Sequence, residues 1–200
     1  MKIKICGIMR HEDIDIVNGA LPDYIGFIFY DRSKRYINPI KAVELKKRLD
    51  RRIMAVGVFV NVAVDFIVET VHNNTVDIVQ LHGDEDAEYI AKLRAEVKET
   101  KIIKAVTVNT AEDLEHITDV GADYYLLDNG KGGTGKAFDW SLFPKELSPK
   151  VFLAGGVSLE NIDTAISLNP YCIDVSSGAK TDGFNDRAKI FELVRRVRNE

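Results

Sequence analysis

Cysteine is nearly absent. Only Cys6 and Cys172 occur in 200 residues, too few for a disulfide framework. Proline is scarce at five residues, and no Pro/Gly/Ser-rich stretch divides the chain, so neither a flexible linker nor a second domain is expected. Nowhere do about 18 apolar residues run together, as a bilayer-spanning helix requires. The opening Met1-Lys2-Ile3-Lys4-Ile5-Cys6 lacks the roughly 7 to 15 apolar residues of a secretory leader. The cytoplasm is therefore the expected address, where both thiols stay reduced and each must serve packing or chemistry. No excess of basic charge exists either. Lys+Arg number 27 against Asp+Glu 31, a formal charge of −4, which argues against a nucleic-acid footprint; an anionic ligand would have to be caught by a local site.

What is present is a large apolar content, 46% of residues, in a chain long enough to bury roughly 70% of its unfolded surface without a disulfide or a structural metal. Runs rich in Val and Ile recur near residues 2–6, 24–29, 54–60, 76–81, 101–106, 123–127, 150–154 and 172–176, which reads as eight strands. Helical spacing separates several of them, as in Ile14, Val17 and Leu21, in Ile90, Leu93 and Val97, in Leu159, Ile162 and Ile166, and in Ile190, Val194 and Val197. Asn38 before Pro39 and Thr110 with Asp113 mark helix starts, because their side chains can satisfy free backbone donors. Between strands six and seven, Pro144 within Trp140–Leu147 leaves room for little more than a short helix.

Strand starts lie about 22 to 30 residues apart, the length of a strand plus one returning helix. Eight parallel βα units close most economically into a (βα)8 TIM barrel spanning residues 1–200 as one α/β domain, since an open doubly wound sheet would leave two exposed edges. Function should then sit at the carboxyl ends of the strands.

Strand one ends in Cys6-Gly7, and a thiol at the mouth can act as a base if a nearby cation favours its thiolate; packing is the alternative. After strand two, Arg32, Lys34 and Arg35 stand among Tyr30 and Tyr36, a loop able to hold a carboxylate or phosphate or simply to be solvated. Gln80 and His82 end strand four on one face. Asp128 ends strand six after apolar residues and is either a general acid or a turn residue, and Gly130–Gly135 follow it without the spacing of a P-loop. Gly155-Gly156 after strand seven and Ser177-Gly178 after strand eight let backbone N–H groups approach a phosphate. Lys104, mid-strand, is a Schiff-base candidate or a lysine snorkelling from the barrel rim. Cys172 begins its strand at the opposite rim and reads as core, and His11, His72 and His116 lack ligand spacing, so no metal is expected.

Taken in order, Lys4-Ile5-Cys6-Gly7, Ser33-Lys34-Arg35-Tyr36, Val56-Gly57-Val58-Phe59-Val60, Gln80-Leu81-His82-Gly83, Gly132-Gly133-Thr134-Gly135-Lys136-Ala137-Phe138-Asp139-Trp140 and Leu153-Ala154-Gly155-Gly156 resemble the phosphoribosylanthranilate isomerase family over the whole chain. The resemblance implies a cofactor-free Amadori rearrangement in tryptophan biosynthesis. Asp128 would then be the general acid, Cys6 the general base, Arg35 the ligand of the anthranilate carboxylate, Gln80 and His82 the pocket lining, and Gly155, Gly156, Ser177 and Gly178 the phosphate cradle. The partner would be a small phosphoribosylated anthranilate, with no nucleic acid or membrane, and the protein a monomer or homodimer. Two rivals are a related sugar isomerase of histidine biosynthesis, which pairs two aspartates where this chain offers Cys6, and a non-catalytic phosphate-binding barrel. A synthase of indole-glycerol phosphate is a third, whose catalytic lysine and glutamates have no counterpart here. Lys34, Ala179-Lys180 and Asn185 depart from the family's usual pattern, and Lys180 is expected to add positive potential near the phosphate.

Overall fold

The structure, a computed structural model, describes residues 1–115, 117–118, 120–129 and 138–199. His116 and the glycine-rich stretch 130–137 lie outside the described residues.

The Val/Ile-rich runs form eight parallel strands, β1 Lys2–Cys6, β2 Tyr24–Ile28, β3 Met54–Phe59, β4 Ile78–Leu81, β5 Lys101–Thr107, β6 Tyr124–Asp128, β7 Val151–Leu153 and β8 Cys172–Val175. Each pairs with its sequence neighbours, and β8 returns to β1 with Lys4 opposite Asp174, so the sheet closes into a barrel without edges. Among the described residues six α-helices lie between or after them: α1 His11–Ala20, α2 Pro39–Arg48, α3 Val64–His72, α4 Ala87–Glu96, α5 Ile162–Ser167 and α6 Arg187–Arg198. Among the described residues, the β5–β6 connection carries only a 3₁₀ turn, Ala111–Leu114, and β6–β7 only the 3₁₀ segments Trp140–Leu142 and Lys145–Lys150. The Thr110–Asp113 capping box does form, but it starts that 3₁₀ turn. Asn38 caps α2 as expected, its side chain accepting from Lys41 N at 3.0 Å.

Alternation along the strands sorts the core into layers. Outward residues such as Ile3, Ile5, Ile25, Phe27, Val79 and Leu127 pack with the helices in one large cluster. Phe66 of α3 meets Phe29 and Phe59 edge-on at 6.1 and 6.0 Å while those two rings stack at 5.1 Å. Pairs of this kind contribute about 0.5–1.5 kcal/mol beyond area burial, so they help fix α3 against the sheet. Inward residues Tyr24, Val56, Ile78, Ile103, Leu126, Phe152 and Cys172 plug the barrel, which bears out Cys172 as core. Its thiol is pushed well up, first by burial and then by Asp174.

A second device sets the register. Asp23, Asp77 and Asp123 each precede an even-numbered strand, and each accepts a hydrogen bond from a backbone N–H of the strand before it: Ile3 at 3.0 Å, Ala55 at 2.7 Å and Ile102 at 2.9 Å. Their own N–H groups donate back to the carbonyls of the same three residues at 3.1, 2.8 and 2.9 Å. A slip of one residue would break both bonds of each clamp and turn the core face outward.

Lys104 departs from both sequence expectations. It shares the outward face of β5 with buried Ile102, and its ammonium is enclosed, donating to the Gly83 carbonyl and lying 3.1 Å from Glu85 Oε2. Glu85 in turn accepts from Asn61 N at 2.8 Å and Gly83 N at 2.9 Å. This ion pair ties the loops after β3 and β4 together and leaves no free amine for a Schiff base. Glu85→Ala is expected to cost about 3 kcal/mol of unfolding free energy, because a buried charge loses its partner; urea denaturation measures it, and a loss under about 1 kcal/mol contradicts the clamp.

Candidate active site

The carboxyl ends of the strands bring the sequence-nominated residues to one mouth. Lys4 and Cys6 follow each other on the inward face of β1, and the next glycine, Gly7, bonds through its N–H to Gly26 O at 3.0 Å. The Cys6 side chain, 7% exposed, packs with Ile28 and Val58. It lies over Gly26 so closely that a Cβ there would stand 2.7 Å from Sγ. Glycine is therefore required opposite the thiol.

Across the barrel, Asp128 closes β6 on the inward face at 9% exposure. One carboxylate oxygen accepts from Asn129 N at 2.7 Å, and the other lies 3.7 Å from His82 Nε2. Gln80 Nε2 donates to His82 Nδ1 at 2.9 Å, an orientation that puts the ring proton on Nε2, toward Asp128. The Gln80 Oε1 is buried with no hydrogen-bond partner among the described residues. Burial lowers His82 below its ordinary value of 6.5, against the pull of Asp128, so the ring is neutral at pH 7. Lys4, Asp174 and Lys104 also act on His82.

That depressed His82 value has a sign. Between the folded value and 6.5 the unfolded chain binds the extra proton, so stability falls as the pH drops below 6.5. In denaturation at pH 5.5 and 7.5, wild type is expected to lose more stability at the lower pH than His82→Asn. An equal loss in both proteins contradicts the assignment.

Beneath the mouth, Lys4 Nζ bonds both oxygens of Asp174 at 3.0 Å, with side-chain exposures of 0% and 7%. Arg35 crosses from the β2–α2 loop: its Cδ lies over Gly7, and its guanidinium donates to Ser176 Oγ, which itself donates to the Cys6 carbonyl at 3.3 Å. The guanidinium thus stands beside the thiol's strand, available to a carboxylate.

The loops after β7 and β8 meet on the remaining side. Gly155 and Gly156 both adopt positive φ, +75° and +70°, which exposes successive backbone edges as few other residues could. A Cβ on Gly155 would stand 2.9 Å from Asp128 Oδ1, and one on Gly178 only 2.1 Å from Val157 O. The two glycine loops therefore touch, next to Asp128, and Ser177 begins a short 3₁₀ turn, Ser177–Ala179.

Sequence reasoning missed the strand pair that follows, β9 Lys180–Thr181 with β10 Phe184–Asn185. It folds over the β1–α1 loop, where Arg10 stacks on the Phe184 ring at 4.4 Å. Lys180 opens this pair directly after the Ser177–Ala179 turn. Its ammonium bonds Gly7 O at 3.1 Å and Asn185 Oδ1 at 2.8 Å.

Comparison with known proteins agrees with this arrangement. Residues 3–196 match the family model described as N-(5'-phosphoribosyl)anthranilate isomerase. A protein of that name from Clostridium acetobutylicum is 45% identical over 207 residues, covering 99% of this chain and 98% of its own. The crystal structure of phosphoribosyl anthranilate isomerase from Thermotoga maritima superposes with a TM-score of 0.90 at 32% identity, covering both chains fully. A structure of such an isomerase in complex with reduced 1-(o-carboxyphenylamino)-1-deoxyribulose 5-phosphate superposes at 0.88, with 32% identity and full coverage of both chains. By the family model and the full-length relatives together, the chain belongs to the N-(5'-phosphoribosyl)anthranilate isomerase family.

Proposed function

We propose that this chain catalyses the Amadori rearrangement of N-(5-phosphoribosyl)anthranilate to 1-(2-carboxyphenylamino)-1-deoxyribulose 5-phosphate, a step of tryptophan biosynthesis. The observation that carries the reading is its full-length likeness to the solved isomerase in complex with the reduced form of that aminoketose phosphate. In this reading the Asp128 carboxyl protonates the furanose ring oxygen, the C1–O bond breaks, and the anthranilate nitrogen's lone pair forms the C1=N Schiff base. Cys6 thiolate then removes the C2 proton, and the C2–H electrons flow toward the iminium nitrogen to give an enolamine. Protonation at C1 and loss of the C2 hydroxyl proton complete the ketose. Each step moves protons only, and the substrate's own nitrogen is the electron sink.

The remaining groups follow from ligand chemistry. Arg35 offers a planar fork to the anthranilate carboxylate, Gln80 and His82 line the sugar pocket, and Gly155, Gly156, Ser177 and Gly178 present backbone donors to the phosphate. Pinning both anionic ends orients the ribose between acid and base. We read residues 1–200 as one cytoplasmic barrel domain working as a monomer or homodimer; among the described residues no helix is long and apolar enough to cross a membrane. Sedimentation should give one or two chains of 22.4 kDa, and a larger assembly would contradict it.

The substrate is unstable and is made in situ from anthranilate and phosphoribosyl pyrophosphate by the transferase. Loss of its fluorescence on adding the protein is the expected result. A rate equal to the buffer control overturns the proposal.

A further inference from the structure

The β9–β10 pair brings a cation to the β1–α1 loop. Lys180 is partly buried, and its ammonium is pinned by two neutral oxygens, Gly7 O and Asn185 Oδ1, while Asn185 Nδ2 also reaches Gly7 O at 3.4 Å. Among the described residues no carboxylate lies within ion-pair distance of it. Lys189 is close behind, donating to the Lys180 carbonyl at 2.8 Å. The other titratable groups that act on it are Asp13 and Arg10 of the α1 start, Arg35 of the β2–α2 loop, and Cys6 of β1. Asp13 is already engaged by Met9 N and Arg10 N at 3.0 Å and by the Arg10 guanidinium at 2.9 Å. On the lumen side of Cys6, Lys4 has both Asp174 oxygens as its own partners. Of the groups around Lys180, Cys6 is the one that sits immediately before the carbonyl on which the ammonium is held.

We propose that Lys180 is a positioning residue for Cys6, its ammonium held on the carbonyl of the next residue so that it stabilises the Cys6 thiolate through space. The inference deepens the proposed function, since it rests on Cys6 as the base. It assigns to Lys180 a role at the thiol in place of the phosphate. It also explains why Asn185 stands beside it: a neutral amide oxygen fixes the ammonium without neutralising it, whereas a carboxylate would take the charge for itself.

The electrostatics agree with the geometry. Burial is the main cause that lowers Lys180, to about 8, with Arg35 and Arg10 adding to the fall and Asp13 and Cys6 opposing it. Holding a desolvated ammonium costs stability at neutral pH, a cost that a purely structural site would remove by placing a neutral side chain there.

The test reads the thiol directly in the free protein. Iodoacetamide alkylates thiolate, peptide mapping locates the adduct at Cys6, and Cys172 is fully buried and stays silent. In Lys180→Gln the pH midpoint of alkylation is expected to rise by about one unit, so that the rate well below it falls about tenfold. The acid limb of kcat/KM should rise with it, and Lys180→Arg should restore the native midpoint. A Lys180→Gln midpoint that superposes on wild type overturns the proposal.

If Lys180→Gln is poorly folded, the reciprocal measurement decides. In NMR titration of the lysine side chains, the Lys180 midpoint should fall in Cys6→Ser relative to wild type, and an unchanged midpoint overturns the coupling. The two readings separate cleanly. Loss of turnover in Cys6→Ser with native alkylation in Lys180→Gln leaves the base in place and removes only Lys180, whereas native turnover in Cys6→Ser removes the base itself.

Discussion

Cys6→Ser and Asp128→Asn are each expected to lower kcat for phosphoribosylanthranilate by about 10² to 10⁴-fold, the usual contribution of one positioned acid or base. KM changes little in both, because the groups that hold the phosphate and the carboxylate in this account are elsewhere. Serine fits the space over Gly26 and beside Ile28 and Val58, but its hydroxyl is a far weaker base at neutral pH than a thiolate. Asparagine keeps an oxygen for the Asn129 N–H but has no proton to give the ring oxygen. Steady-state kinetics with the transferase-coupled substrate measures both, and near-native kcat in both variants contradicts the assignment of acid and base while leaving the activity itself standing.

The second large effect is on stability. Lys4→Met is expected to destabilise the protein by about 3–5 kcal/mol, since Asp174 would remain enclosed in the barrel without its partner. Asp174→Leu should cost a similar amount for the mirror reason. The double variant Lys4→Met with Asp174→Leu should recover most of the loss, because two apolar side chains of suitable volume remove both desolvated charges together. Burial acts most strongly on Lys4 and lowers it, but the combined pull of Asp174, Cys6 and Cys172 more than offsets burial and raises the group, so the ammonium is charged at neutral pH. Denaturant unfolding of the four proteins forms a double-mutant cycle. Additive single losses, with no recovery in the double variant, contradict a coupled buried pair.

Much of this architecture was legible in the sequence, and the reasons are physical. Parallel strands covered on both sides need continuous apolar runs, so β1 to β8 announce themselves by Val and Ile content, and a barrel mouth puts its chemistry at strand ends, where Cys6, His82 and Asp128 break those runs. Side-chain alternation then decides which residues enter the lumen, and it correctly turned Gln80 and His82 to one side.

Contacts between distant loops were not legible. Lys104 meets Glu85 across 19 residues of sequence, and neither residue's type or spacing signals the pair. The β9 and β10 strands are two residues each and largely polar, below the length at which alternation carries information. Lys180 could be flagged only as an unusual residue in its place. Its contact with Gly7 follows from the hairpin's tertiary docking through Arg10 and Phe184.

The division of labour between Asp128 and Cys6 is open to one direct measurement, the primary kinetic isotope effect with substrate deuterated at C2. In Cys6→Ser, removal of that hydrogen becomes the slow step, and a large effect on kcat/KM is predicted. In Asp128→Asn, ring opening becomes slow and the effect falls toward unity. The reverse pattern, or the same effect in both variants, contradicts the account.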